Sequence, residues 1–353
     1  MRLAARFHLG PALAFLLALV PALSTCAAET VQVHRPLLFG VALEGNPITP
    51  EQINLAAQET RLPLGVVNFF VQWPAEPGPG GFPLESVRAI DAAGALPCIT
   101  WEPMHYETGS EVMIPAEDIL SGRYDVYIDD FANTARQWGR PVLVRFAHEM
   151  NLARYHWGTD AQGYGPESPA LFAAMYRHVA QRLRAAGADN LYLAFCPNSE
   201  SIPNDSFDPE AGWNTLAAWW PGAEYVDVLG MDGYNWGDTR SLETHGWQSS
   251  FRSFVDIFGP ARAELRALAP DLPLLVFETA GVAGGGDKGA WIEEAFATAR
   301  DWGLAGLVWF QAAKEEDWRM QAGSGEEWRV EVAPLVRGET DPAQALGLHG
   351  GKP

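Results

Sequence analysis

Short apolar, β-branched runs alternate along this chain with longer stretches whose apolar positions recur at helical spacing. Eight runs read as strands: PLLFGVALEG (36–45), LGVVNFFVQW (64–73), LPCITWEPM (96–104), PVLVRFAHEMN (141–151), LYLAFCPN (191–198), VDVLGMDGYNW (226–236), PLLVFETA (273–280) and LAGLVWFQA (304–312). The stretches between them carry helix signals. Thr49 stands before Pro50 and Glu51, a cap followed by proline in the first turn. Segments 121–139, 168–187 and 286–303 close at Gly139, Gly187 and Gly303. Eight strand-then-helix units in unbroken order predict an α/β fold, a single-domain (β/α)8 TIM barrel; a doubly wound open sheet is the other arrangement this order allows. The barrel domain is expected over 29–337, with GETDPAQALGLHGGKP (338–353) as a flexible tail. The loop at 104–120 and a tryptophan-rich insertion at 199–225 are long enough to shape a groove.

The strand runs are asymmetric. Their first residues are apolar or plain turns, while their ends supply Glu44, Trp73, Trp101, Glu102, His148, Glu149, Asn151, Asn198, Asp232, Tyr234, Asn235, Trp236, Glu278, Trp309 and Gln311. In a (β/α)8 barrel those ends, with the loops after them, form the active face. Strand alternation places Arg145, Ala147 and Glu149 on one face of the fourth strand, and Leu274, Val276 and Glu278 on one face of the seventh. Glu149 and Glu278 then look at each other across the mouth. Two carboxyl groups among aromatic rings suit glycosidic-bond cleavage, one protonating the leaving oxygen and the other attacking or stabilising the sugar cation. Trp73, Trp101, Trp236 and Trp309 offer faces for pyranose rings. As structural residues the glutamates would instead be ion-pair partners, for example of Arg145.

Composition narrows the partners. The chain has 353 residues, 14 tryptophans and a formal charge of −20, a field that repels nucleic acid and anionic polysaccharide and favours a neutral ligand. Residues 1–28 read as an export signal: Arg2 and Arg6 at the start, PALAFLLALVPAL in the middle and STCAA at the cleavage site. That run is too short for a comfortable membrane span, and no later stretch approaches one. LSTC also resembles a lipoprotein box, with Cys26 as the anchor. An exported protein, periplasmic or extracellular and lipid-anchored if Cys26 is modified, is expected as a monomer. Cys98 and Cys196 fall on strands that are not neighbours, so a disulfide is not favoured, and two cysteines alone make no structural zinc site.

Together, RFAHEMN and VFETAG, with VDVLGMDGYN and LPCITWEP, resemble glycoside hydrolase family 26, the β-mannanase-like group of retaining (β/α)8 glycosidases, from about residue 36 to 312. The resemblance implies Glu149 as general acid/base and Glu278 as nucleophile. It implies that His148 sits beside the acid/base and helps to hold it, that Tyr234 hydrogen-bonds the nucleophile, and that Trp309 is a sugar platform. Members of the family usually follow HEMN with glycine and then place tryptophan at the position of Arg154; here Leu152 and Arg154 stand instead, and Trp157 and Gly158 return to the pattern. An arginine brings charge and hydrogen bonds where an indole would pack, so another backbone sugar, or an acidic decoration, enters the expectation. Trp101, Glu102, Asn151, Arg154, Trp157 and Trp236 complete the candidate substrate-binding set.

GGGDKG (284–289) matches G-x-G-x-x-G but follows the seventh strand, where a dinucleotide site would not stand; it reads as a flexible loop before a helix. HEMNL lacks the second histidine of a zinc motif, and His105, His156 and His245 are scattered. No cofactor or metal is expected. The expected function is a retaining endo-β-glycosidase acting on mannan or another hemicellulose or glucan. The alternative from a different class is a non-catalytic carbohydrate-binding barrel serving polysaccharide export.

Overall fold

The computed structural model describes residues 37–336, apart from 156, 158 and 160–162, together with 338 and 341–348. The signal and lipoprotein readings of residues 1–28 lie outside the described residues, as do His156 and Gly158. The strands are β1 (Leu38–Ala42), β2 (Val66–Gln72), β3 (Leu96–Glu102), β4 (Met104–Glu107), β5 (Ser110–Met113), β6 (Val142–Phe146), β7 (Leu191–Phe195), β8 (Val228–Asn235), β9 (Leu274–Gly281) and β10 (Gly306–Phe310). Eight of them close a barrel in the order β1-β10-β9-β8-β7-β6-β3-β2, and β4 and β5 form a separate hairpin. All barrel pairings are parallel, and β1 seals the ring by pairing with both β10 and β2.

The helices between them follow the local signals. Thr49 and Gln52 exchange hydrogen bonds at the start of helix Pro50–Thr60, a reciprocal capping box. Helix Asp125–Trp138 ends at Gly139 with φ +71°, the left-handed cap that glycine adopts without a Cβ penalty. The glycine-rich loop before helix Lys288–Asp301 is explained by packing: a Cβ on Gly286 would meet the Phe251 ring at 2.6 Å. Asp287 caps the helix through Ala290 N–H at 3.0 Å.

Three expectations change. The 104–120 segment is the β4–β5 hairpin followed by helix Ala116–Leu120. The tryptophans of the 199–225 insertion pack on the outside of the barrel: Trp219 lies against Phe172, and Trp220 against Phe195. In the segment expected as a flexible tail, Asp341 caps a short helix, Pro342–Ala345, and Ala343, Leu346 and Leu348 are buried in the hydrophobic core. Apolar side chains at 343, 346 and 348 gain more from burial than from a solvated tail. Among the described residues no helix is long and apolar enough to cross a membrane.

Candidate active site

The floor of the mouth is a buried arginine. Arg145 on β6 is fully buried. Its Nε donates to Thr100 Oγ1 at 3.0 Å, one terminal nitrogen binds Asp232 at 2.5 Å, and the other binds Glu278. Burying a guanidinium is costly unless it is paired and hydrogen-bonded, and here two carboxylates and a hydroxyl meet it. Thr100 in turn donates to Asn68 Oδ1 at 2.8 Å. Burial pushes the Asp232 carboxyl up, opposed by the adjacent guanidinium.

Alternation does not carry the glutamates to the mouth as expected. β6 ends at Phe146, and the next residues leave the strand: Ala147 and Glu149 have φ of +48° and +50°. Such left-handed geometry is uncommon and strained for residues other than glycine. It is fixed by Ala147 N–H to Trp101 O at 3.0 Å and Glu149 N–H to Cys196 O at 2.8 Å. The turn therefore brings His148 and Glu149 to the same rim, although they are sequence neighbours. On β9 the register slips: Met231 pairs with Val276, but Asp232 pairs with Glu278. The slip skips Phe277, so its ring lies near Arg145, 5.9 Å from the guanidinium carbon, while Glu278 also binds that arginine. Asn198 bridges to Asp232, and Asp232 pairs with Glu278. Glu149, Asn198, Asp232 and Glu278 thus stand at one level on four successive barrel strands or their ends.

The two glutamates occupy opposite environments. Glu278 accepts from Arg145 on one oxygen and from the Tyr234 hydroxyl on the other, at 2.6 Å. Two donors, one of them cationic, suit an anionic acceptor. Glu149 is as buried, but its side-chain partner is the neutral Asn198 amide, at 2.6 Å. Burial, reinforced by the charge of Glu278 and opposed by the Asn198 bond, pushes the Glu149 carboxyl up to about 7. Glu102, at the end of β3, is likewise raised to about 7 by burial, with Gln72 donating to it at 2.5 Å. The rim thus carries two raised carboxyl groups with neutral amide partners, Glu149 and Glu102, and one, Glu278, bound by a guanidinium and a phenol.

The other candidate residues separate by what they touch. His148 packs against Tyr155, 4.8 Å between ring centres, and its Nδ1 finds no partner. Burial lowers its pKa well below the usual histidine range, helped by Arg145 and Arg154, so it stays neutral; the bond that holds Glu149 comes from Asn198. Asn151 is buried and scaffolds the next loop, donating to Asn198 O at 2.9 Å and accepting from Asn198 N–H at 2.8 Å. Trp157 is buried, stacks on Tyr155 at 5.0 Å and donates to His148 O. Arg154 forms a bidentate pair with Glu111 of the β4–β5 hairpin, at 2.7 and 3.0 Å, and lies over the Tyr155 ring. Asn235 fixes its turn by accepting from Gly237 and Arg252 N–H.

Of the four strand-end tryptophans, Trp236 alone is partly exposed. Trp73 and Trp101 are sealed in the layer between barrel and helices, Trp101 stacked on Phe131 at 4.2 Å and bonded to Tyr127 Oη. Trp309, expected as the platform on the last strand, is fully buried against Trp291 and donates to Trp318 O at 2.8 Å. A register slip between β9 and β10 lies between Leu307 and Trp309, and the ring that reaches the mouth is Phe310, 5.9 Å from Tyr234. Phe70, 6.3 Å from His148, completes the lining, and the buried Trp318 backs Tyr234 at 5.1 Å. Sequence reasoning gave these three rings and Asn198 no role. Asn198 had a signal, as a strand end; Trp318 sits in a loop after the last strand and had none. Among the described residues no cluster of three or more His, Cys, Asp or Glu forms a metal-binding set.

Residues 116–273, which contain Glu149, Asn198, Asp232 and Tyr234, match the model of glycosyl hydrolase family 26. Over that stretch the chain is similar to glycosyl hydrolase family 26. Endoglucanase H of Acetivibrio thermocellus is 30% identical to this chain over 263 residues, 73% of this chain and 26% of that protein. A β-1,3-xylanase of a Vibrio species is 27% identical over 165 residues, 43% of this chain and 30% of that protein. The chain thus spans under a third of either relative. A Bacillus subtilis mannanase of known structure has a TM-score of 0.58 at 14% identity, covering 88% of this chain and 90% of that one. That likeness agrees with the closed (β/α)8 barrel of this chain.

Proposed function

We propose that this barrel is a retaining endo-β-glycosidase, with Glu149 as general acid/base and Glu278 as nucleophile. The observation that carries this reading is the pairing of two buried carboxyl groups at one rim in opposite settings. Glu149 is pushed up to about 7 with a neutral partner, while Glu278 is held by a guanidinium and a phenol. In the first step the Glu149 proton passes to the glycosidic oxygen as a Glu278 oxygen bonds to the anomeric carbon, and the C–O bond to the leaving sugar breaks. In the second, Glu149 takes a proton from water, whose oxygen displaces Glu278 and restores the starting anomer. Retention needs the carboxyl groups about 5–5.5 Å apart.

A neutral β-linked backbone, mannan or another hemicellulose or glucan, is the proposed substrate. The formal charge of −20 disfavours a polyanion, and the Arg154 guanidinium is already engaged by Glu111, which weighs against recognition of an acidic decoration. Action outside the cell agrees with the export signal expected at the N-terminus.

The test sets β-mannan, xylan and mixed-linkage glucan before the parent, Glu149→Gln and Glu278→Gln. The expected result is turnover by the parent with the β-anomer formed first in NMR, and loss of about 10⁴-fold or more in each variant with sugar binding kept. Hydrolysis by both variants at the parental rate would refute the assignment. Binding without turnover in the parent would favour the carbohydrate-binding barrel.

A further inference from the structure

The aromatic rings that begin at Glu278 continue beyond the mouth. Tyr234, which donates to that carboxylate, lies 5.1 Å from Trp318; Trp318 stands edge-to-face with Trp236 at 4.7 Å; Trp236 meets Trp247 edge-to-face at 5.5 Å. Trp318 is buried, at 1% exposure, and backs the file, while Tyr234 and Trp236, 6.3 Å apart, are partly exposed and Trp247 is 43% exposed. Each step is close to the length of a pyranose unit in an extended chain.

Trp247 is presented by a braced loop. Ser241 caps the short helix Leu242–His245, Gly246 turns the chain with φ +74°, and Trp247 follows. The loop is closed at its base by Arg240 N–H to Ser249 Oγ at 3.0 Å and Ser249 N–H to Arg240 O at 3.2 Å. Arg240 is fixed in turn: its guanidinium lies 4.5 Å from the centre of the Trp236 ring and binds Glu316 at 2.6 Å. One face of Trp236 is therefore covered by a cation, and the indole that the file offers to water is Trp247. A large apolar ring kept in solvent at the end of a braced loop gains nothing from the core. Its continuity with the rings around Glu278 identifies what would cover it.

We propose that Trp247 is a distal stacking platform of the same groove, taking a neutral pyranose of the polysaccharide two or three units from the bond that is cut. The C–H face of such a ring packs on an indole much as another ring does. The proposal rests on the glycosidase reading and assigns endo action on long chains to this side of the mouth.

The experiment compares kcat/KM on a hexasaccharide and on an aryl disaccharide of whichever series, β-manno, β-xylo or β-gluco, the parent cleaves. In Trp247→Ala the hexasaccharide-to-disaccharide ratio is expected to fall about five- to ten-fold, the effect of one lost ring contact, with Trp247→Phe restoring most of it. In a Glu278→Gln background the same change is expected to weaken hexasaccharide binding by a similar factor. A structural role would lower both substrates together; an unchanged ratio, or an equal loss on both, overturns the proposal. If Glu149→Gln and Glu278→Gln abolish turnover while the ratio stays fixed, Trp247 alone is misassigned. If the parent cleaves none of the three series, both readings fail.

Discussion

On one side of the mouth, at the ends of β2 and β3, Trp73 and Trp101 pack with Tyr124, Tyr127 and Phe131 at ring distances of 4.2–5.7 Å, and both indoles are buried. On the other side, at the end of β8 and in the loop after it, Tyr234, Trp236 and Trp247 are spaced almost as closely but run outward to solvent over the buried Trp318. The same residue type at the same kind of position thus serves as core in one place and as groove lining in the other. The difference lies in what covers the rings. Helix Asp125–Trp138 lays Tyr127 and Phe131 over Trp101, whereas the loop after β8 braces its rings with Arg240 and leaves the last one bare.

The comparison breaks most easily at Trp101. Trp101→Ala removes a buried indole and its bond to Tyr127, and is expected to cost about 3–5 kcal/mol of stability, read as a lowered urea midpoint at constant m. A loss under about 1 kcal/mol, accompanied by weaker sugar binding, would mean that this side is open as well.

A smaller effect is expected at Glu102, on the rim of the closed side. Its folded pKa of about 7 lies above the ordinary carboxyl value of 4.5. The folded state therefore holds its proton more tightly than the unfolded state. Stability from this group is full below about pH 4.5 and is lost as pH rises through about 7. Glu102→Gln keeps an acceptor for Gln72 and removes the ionisation. The variant is expected to gain on the order of 2–3 kcal/mol over the parent at pH 8 and nothing near pH 4, in paired urea titrations. Equal midpoints at pH 8 would show that Glu102 titrates like a solvated carboxyl.

The barrel itself was readable because the order of turn, apolar run, polar end and helix recurs eight times, and because each helix end carries its cap. Both glutamates were readable for a related reason: a carboxyl group at the end of an apolar run is too costly to leave there without a partner or a role. The direction of the side chains near the mouth was not readable. Period-two alternation fails where β6 turns left-handed at Ala147 and Glu149, and where β9 slips at Phe277. Neither departure is marked by glycine or proline at those positions. Phe310 reaches the mouth in place of Trp309 although β10 itself stays in register with β1 throughout. Asn151 and Asn198 show a further limit, since their side chains are interchangeable in composition and only the loop contacts decide which one bonds Glu149.

The central claim is that Glu278 bonds to the sugar while Glu149 supplies and recovers the proton. A 2-deoxy-2-fluoro glycoside with an activated leaving group, of the series the parent cleaves, lets the first step proceed and slows the second by destabilising the cationic sugar. Peptide mass spectrometry after such a reaction is expected to find one added sugar on the peptide that carries Glu278, and none in Glu278→Gln. A label on a different residue, or turnover with no covalent sugar and an inverted product anomer, would contradict the account.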